Sequence, residues 1–237
     1  MTVISHHYRF IFLKTAKTAG TSIEMALETI CGADDICAPV TKKKSARPGE
    51  ESYKARNYKG FFLPRLTRPD GRESRFFKDI KDLVVLQRKF KSHMPACDVK
   101  PRIGKKIWDG YFKFTVERNP WDKAVSAYYF AQRHPENRIP FEDWLPENLK
   151  QGNIHFYSIG GKIVVDHVLR FENLQADLDA TLLKLGVENP PTLPRSKSEF
   201  RPKKADYREV HNDFTRDYVA RVCAPDIEYF GYTFEGK

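Results

Sequence analysis

The sequence predicts an α/β fold, a three-layer sandwich in which a mostly parallel central sheet is flanked by helices. Three observations predict it. Compact apolar runs rich in aromatic and β-branched residues recur at Tyr8–Lys14, Tyr111–Val116 and Ile163–Phe171. Each is followed, after a turn, by apolar residues at helical spacing. The chain of 237 residues, 41% hydrophobic and 13% aromatic, can also bury a real core, which excludes a disordered or fibrous class. Strands that alternate with helices call for a parallel sheet covered on both faces. With no internal repeat, residues 1–237 read as one domain.

The first unit is strand Tyr8–Lys14, loop Thr15–Gly20, then a helix carrying Ile23, Ala26, Leu27 and Ile30 at i, i+3, i+4, i+7. Thr21 and Glu24 stand in the S/T-x-x-E relation of a capping box, which sets the helix start at Thr21. Residues 38–80 follow as an insertion, basic and rich in Pro and Gly. Asp82–Leu86 fits either a strand or a helix. The second unit is strand Tyr111–Val116, turn Glu117–Pro120 and a helix over Trp121–Phe130, with Pro120 in the first turn, where a helix tolerates it. The third is strand Ile163–Phe171 and a helix from Asn173 bearing Leu174, Leu178, Leu182 and Leu185. A Pro-rich linker, Asn189–Pro202, leads to a last helix marked by Phe214, Tyr218, Val219 and Val222.

Charge narrows the partner. The chain carries +10, and residues 41–106 hold 20 basic against 7 acidic residues, so the remainder is slightly acidic. Such localisation predicts an anionic partner: a nucleotide, a sulfated or phosphorylated substrate, nucleic acid or a membrane surface. The alternative is a solvated basic loop. No apolar run approaches the roughly 20 residues that span a bilayer, and Met1–Tyr8 is too short for a signal peptide, so the expected location is the cytoplasm. Cys31, Cys37, Cys97 and Cys223 form no CxxC pair, which points to buried reduced thiols and not to zinc or a disulfide framework.

Two constellations carry chemistry. In Lys17-Thr18-Ala19-Gly20-Thr21-Ser22 the small residues let backbone approach a ligand, and the hydroxyls and helix N-terminus make an anion cradle. The loop is P-loop-like, but Lys17 comes before Gly20, whereas a Walker loop places its lysine after the last glycine. An ordinary strand-to-helix turn fits this segment equally. In the second, Arg118 precedes a helix N-terminus, an unfavourable placement of about 0.3–1 kcal/mol unless an anion lies between; Ser126, two turns on, can add a hydroxyl. Alternatively Arg118 pairs with Glu117 or Asp122.

The K-T-A-G-T-S loop after a strand, with R-N-P-W-x-K-x-x-S-A-Y about 100 residues later, resembles the sulfotransferase superfamily that uses 3′-phosphoadenosine-5′-phosphosulfate (PAPS). Within it the chain is most similar to the heparan-sulfate 2-O- and chondroitin-type carbohydrate sulfotransferases and their bacterial relatives. The likeness extends through Ser92-His93-Met94, Leu169–Leu174 and Asp226–Tyr232, sparing residues 38–80. It implies that Lys17, Thr18, Ala19, Gly20, Thr21 and Ser22 bind the 5′-phosphosulfate and that Arg118 and Ser126 bind the 3′-phosphate. It also implies that Lys17 stabilises the leaving group and that His93 is the general base. Two positions depart from the pattern: Ala16 stands where the family commonly has Pro, and Glu117, where it has an apolar residue, is able to pair with Arg118.

The resemblance implies PAPS as donor, the desulfonated PAP as product, no metal, and a hydroxyl-bearing acceptor, a glycan or another anionic or small hydroxylated molecule. The basic insertion, with Phe61, Phe62, Phe76 and Phe77, is a candidate acceptor surface or else a surface loop. Two other classes stay open: a P-loop-type nucleotide kinase, for which Walker glycines and a magnesium carboxylate are missing, and a non-catalytic nucleic-acid- or anion-binding protein, which would not require both loops to follow strands. No nucleic-acid partner is expected.

Overall fold

The computed structural model describes residues 2–39, 53–59, 89–194 and 206–236. The chain starts with β1 (Thr2–Ser5) and β2 (Phe10–Leu13), runs into helix α1 (Gly20–Thr29) and returns as the short β3 (Ile36–Cys37). Then come α2 (Ala96–Ile103), α3 (Lys105–Gly110), β4 (Phe112–Glu117), α4 (Pro120–Ala131) and α5 (Phe141–Asn148). A two-stranded ribbon, β5 (Ser158–Ile159) and β6 (Lys162–Ile163), precedes β7 (His167–Arg170) and α6 (Leu174–Lys184). Three helices close the chain: α7 (Tyr207–Val210), α8 (Asp213–Val222) and α9 (Ala224–Phe230). Most of the 38–80 insertion, all of Asp82–Leu86 and Phe61, Phe62, Phe76 and Phe77 lie outside the described residues.

Among the described residues the central sheet has five strands in the order β3-β1-β2-β4-β7. It is mixed, not mostly parallel. β2, β4 and β7 are parallel, as the strand–helix alternation predicts, but β1 runs antiparallel to both β2 and β3. The reason is connection length. Only four residues, 6–9, join β1 to β2, and a parallel return needs about a dozen or more. Thr2–Ser5 is a four-residue run without alternation, so the sheet begins one strand earlier than the sequence suggested. Strand Tyr8–Lys14 contracts to Phe10–Leu13, and Ile163–Phe171 divides between β6 and β7. The helix with Phe214 is followed by α9, so it is not the last.

The pleat sorts side chains into two cores. Phe10 and Phe12 on β2 pack with Phe114 and Val116 of β4, Ile23 and Leu27 of α1, and Leu178 and Leu182 of α6. The alternate residues Ile11 and Leu13 face Trp121, Val125 and Tyr128 of α4, Trp144 of α5 and Val219 of α8. A period-two strand buried on both faces puts helices above and below the sheet. Among the described residues no helix is long and apolar enough to cross a membrane. Cys37 and Cys223 are buried free thiols, Cys31 is partly covered, and Cys97 is exposed on α2, contrary to the expectation that all are buried.

Candidate functional site

The parallel strands β2 and β4 are neighbours, so the loops at their carboxyl ends open on the same edge of the sheet. After β2 the chain turns sharply. Lys17 at φ 62° and Ala19 at φ 56° both occupy the left-handed region, uncommon for residues with a Cβ. Strain of this kind costs of order 1–3 kcal/mol per residue and gathers at ligand clamps. Ala19 is the N-cap of α1, and the helix begins at Gly20, one residue before the expected start. The expected capping box is not formed. Lys14 reaches in from the end of β2 and takes both partners: its Nζ donates to Thr21 Oγ1 at 3.2 Å and to Glu24 Oε2 at 2.7 Å. Ala19, the N-cap, has no side-chain acceptor to give the helix. Thr15 ties this loop to the next strand by donating from its hydroxyl to the Val116 carbonyl.

The second loop follows β4. Asn119 caps α4, accepting from the N–H groups of Trp121 (3.0 Å) and Asp122 (3.4 Å), and Pro120 occupies the first turn as expected. The Arg118 guanidinium pairs with Asp122 and not with Glu117. Its Nε and Nη2 hold the Asp122 carboxylate at 2.7 and 2.6 Å, and its Nη1 donates to the Lys17 carbonyl at 3.2 Å, joining the two loops. The guanidinium lies 3.9 Å from the centroid of the Phe171 ring. Beside it, Glu172 accepts from the Asn119 N–H at 2.8 Å, so the turn after β7 supports the second loop.

Glu117 instead points into the core, where it is fully buried. It accepts from Lys123 Nζ (3.2 Å), the Arg118 N–H (3.1 Å), Asn153 Nδ2 (3.2 Å) and Tyr157 Oη (3.0 Å). Burial raises the pKa of this carboxyl, opposed chiefly by Lys123. Burial works against the Lys123 ammonium too, but the carboxylates of Glu117 and Asp226 raise its pKa above the ordinary lysine value, so it stays charged. Asn153 links this network to the first loop. Its Nδ2 donates to the Ala16 carbonyl (3.1 Å), and its Oδ1 accepts from the Ala16 N–H (3.3 Å). Asp226 accepts from the Asn153 N–H at 2.7 Å; a Cβ at position 152 would lie 1.9 Å from this carboxylate, so Gly152 is required there.

Between the loops lies a cleft of about 400 Å³. It brings together Lys17, Thr18, Ala19, Gly20 and Thr21 of the first loop, Arg118 and Ser126 of the second, and His93. Ser22 is buried in α1 and does not line it. Phe130 of α4 also lines it and carries the Lys17 ammonium 3.9 Å from its ring centroid. His93 has φ 53°, and its ring centroid is 6.0 Å from that of Phe156. The arrangement offers the cations Lys14, Lys17 and Arg118, hydroxyls and a helix N-terminus to an anion, with an imidazole in the same cleft. Among the described residues no group of three or more His, Cys, Asp or Glu side chains is placed to hold a metal ion.

Sequence reasoning missed Lys14, Thr15, Phe130 and Phe171 in the lining and Asn153 behind it. Lys14 is the last residue of an apolar strand and carries no motif of its own, and Asn153 lies 137 residues from Ala16, with no local pattern joining them. Phe130 alone left a signal, falling four residues after Ser126 and therefore on its helix face.

No family model and no solved structure matches the chain. It is 34% identical over 100 residues to an uncharacterized protein of Archaeoglobus fulgidus, a stretch covering 40% of this chain and 83% of that relative.

Proposed function

We propose that this chain, which belongs to one family with the uncharacterized Archaeoglobus fulgidus protein, is a sulfotransferase that moves the sulfuryl group of PAPS to an acceptor hydroxyl by in-line transfer. One observation carries the reading. The two loops whose sequences resemble the PAPS-binding motifs, far apart in the chain, line a single cleft together with His93. Chance strand-to-helix turns have no reason to share it with a histidine.

On this reading the first loop is a P-loop-like cradle. Thr18, Thr21 and the N–H groups at the start of α1 bind the 5′-phosphosulfate, and Arg118 and Ser126 bind the 3′-phosphate. His93 removes the acceptor proton as the new S–O bond forms. The bond from sulfur to the phosphate oxygen breaks, and Lys17 neutralises the charge that grows on the leaving PAP. Aimed charge of this kind is worth roughly 3–4 kcal/mol. Phe130 holds the ammonium over the cleft. The acceptor is a carbohydrate or another small hydroxylated molecule, met in the cytoplasm.

Thermal shift with PAP, with ATP and magnesium, and with an oligonucleotide tests the reading. PAP at about 100 times its Kd adds ~2.7 kcal/mol, which raises the Tm of a chain this long by about 5 °C or more. Stabilisation by ATP or by the oligonucleotide, without PAP, overturns it in favour of a kinase or a nucleic-acid-binding protein. A screen of hydroxylated acceptors with labelled PAPS then identifies the acceptor.

A further inference from the structure

We infer that Lys14 is an additional anion-binding residue of the cleft, donating one ammonium N–H to an oxygen of the phosphosulfate group; the inference rests on the PAPS reading of this site. Lys14 is only 5% exposed, yet it lines the cleft. Its stem crosses the start of α1 so closely that a Cβ on Gly20 would lie 2.6 Å from Lys14 Cγ and 2.7 Å from Cε. Gly20 therefore serves the lysine as well as the helix turn. Glu24, fully buried, holds the ammonium at 2.7 Å, and Thr21 Oγ1 accepts from it at 3.2 Å.

An ammonium carries three N–H donors. Two of those on Lys14 are engaged, and the third has no partner among the described residues. A buried charged donor left short of an acceptor is unfavourable, and an anion in the cleft removes that deficit. The second consequence concerns Thr21. Because Lys14 can only donate, Thr21 Oγ1 is the acceptor of that bond, so its own hydrogen is turned away from Lys14. Thr21 also lines the cleft. Lys14 thus supplies one donor itself and fixes the accepting side of the Thr21 hydroxyl. Lys14 beneath the loop and Lys17 on Phe130 suit a ligand with two adjacent anionic groups, as in a phosphosulfate, better than a lone phosphate.

Calorimetry on the full chain separates this role from stability. Glu24→Gln alone keeps Lys14 and serves as reference; Lys14→Met in the Glu24→Gln background removes the ammonium without stranding a buried carboxylate. PAP and inorganic pyrophosphate are the probes. The ammonium's loss weakens both by about 10-fold or more, as for a hydrogen bond to a charged group. Equal affinities in the two variants, with PAP bound by wild type, overturn the role of Lys14 and leave the PAPS reading standing. Failure of wild type to bind PAP, with pyrophosphate binding still dependent on Lys14, overturns the PAPS reading and keeps Lys14 as an anion ligand. Neither probe binding overturns both. Should the double variant not fold, the lysine Nζ NMR resonances of wild type decide: PAP shifts the resonance of the buried Lys14 ammonium if it is a ligand and leaves it in place if it is not.

Discussion

At the scale of single residues, the site depends on which groups hold each cation. Arg118 is engaged by Asp122, so on the proposed function a 3′-phosphate must share or displace that carboxylate. Under the proposed function, Arg118→Ala weakens PAP about 10- to 100-fold, the cost of losing hydrogen bonds to a charged group. Asp122→Asn removes the competing charge from the guanidinium and tightens PAP, while costing about 0.3–1 kcal/mol of stability because Asp122 also sits in the first turn of α4. Calorimetry on both variants checks this, and opposite signs are the expected result. On the same proposal, Lys17 and His93 act on the reaction more than on the product. Lys17→Ala therefore lowers turnover far more than it weakens PAP, and His93→Ala lowers turnover by about 10²- to 10⁴-fold with PAP affinity near wild type. Equal losses in turnover and affinity for Lys17→Ala would make it an ordinary phosphate anchor.

At the scale of elements, the placement of α4 sets where Arg118, Ser126 and Phe130 stand, and His211 helps fix that helix. It lies between α7 and α8, with its Nε2 3.2 Å from the Trp121 carbonyl and its Nδ1 3.2 Å from Thr215 Oγ1, against the rings of Phe141 and Phe234. Burial lowers its pKa below the ordinary histidine value, against the pull of the Trp121 carbonyl and the Asp122 charge. With the folded value depressed, the unfolded chain takes the proton first as pH falls. This contribution is complete above about pH 6.5 and is lost as pH drops from there through the folded pKa, with a slope of at most about 1.4 kcal/mol per pH unit for one proton. His211→Gln keeps a donor to the carbonyl but cannot titrate. Its Tm falls less between pH 7 and pH 5 than that of wild type; an identical fall would show that His211 contributes nothing to acid sensitivity.

At the scale of the molecule, one buried charge network joins the sheet, α4, the 152–154 turn and α9. Lys123 faces both Glu117, at 3.2 Å, and Asp226, at 3.7 Å. Lys123→Met leaves two carboxylates uncompensated, which costs about 3–5 kcal/mol. For a chain of this length that is a fall in Tm of about 10 °C, and a change below ~1 kcal/mol in denaturant unfolding would contradict it. Because Asn153 carries the same network to Ala16, loss of stability and loss of the first loop's geometry go together here.

Much of this was legible in the sequence. Compact apolar runs with an apolar helical stripe behind them placed β2, β4, α1, α4 and α6 to within a few residues, because such patterns are a local property of the chain. The loop at Lys17 and the turn at Arg118 could be read for the same reason: each is contiguous, and its chemistry depends on spacing within a few residues. Tertiary structure decided what spacing does not encode. A short hairpin connection made the sheet mixed; burial turned Lys14 from a strand end into a partner of Thr21 and Glu24; and packing paired Arg118 with Asp122 while sending Glu117 inward to Lys123. Asn153, more than 130 residues from the loop it holds, could be found only after folding, since a side chain's partner is set by which surfaces meet and not by its place along the chain.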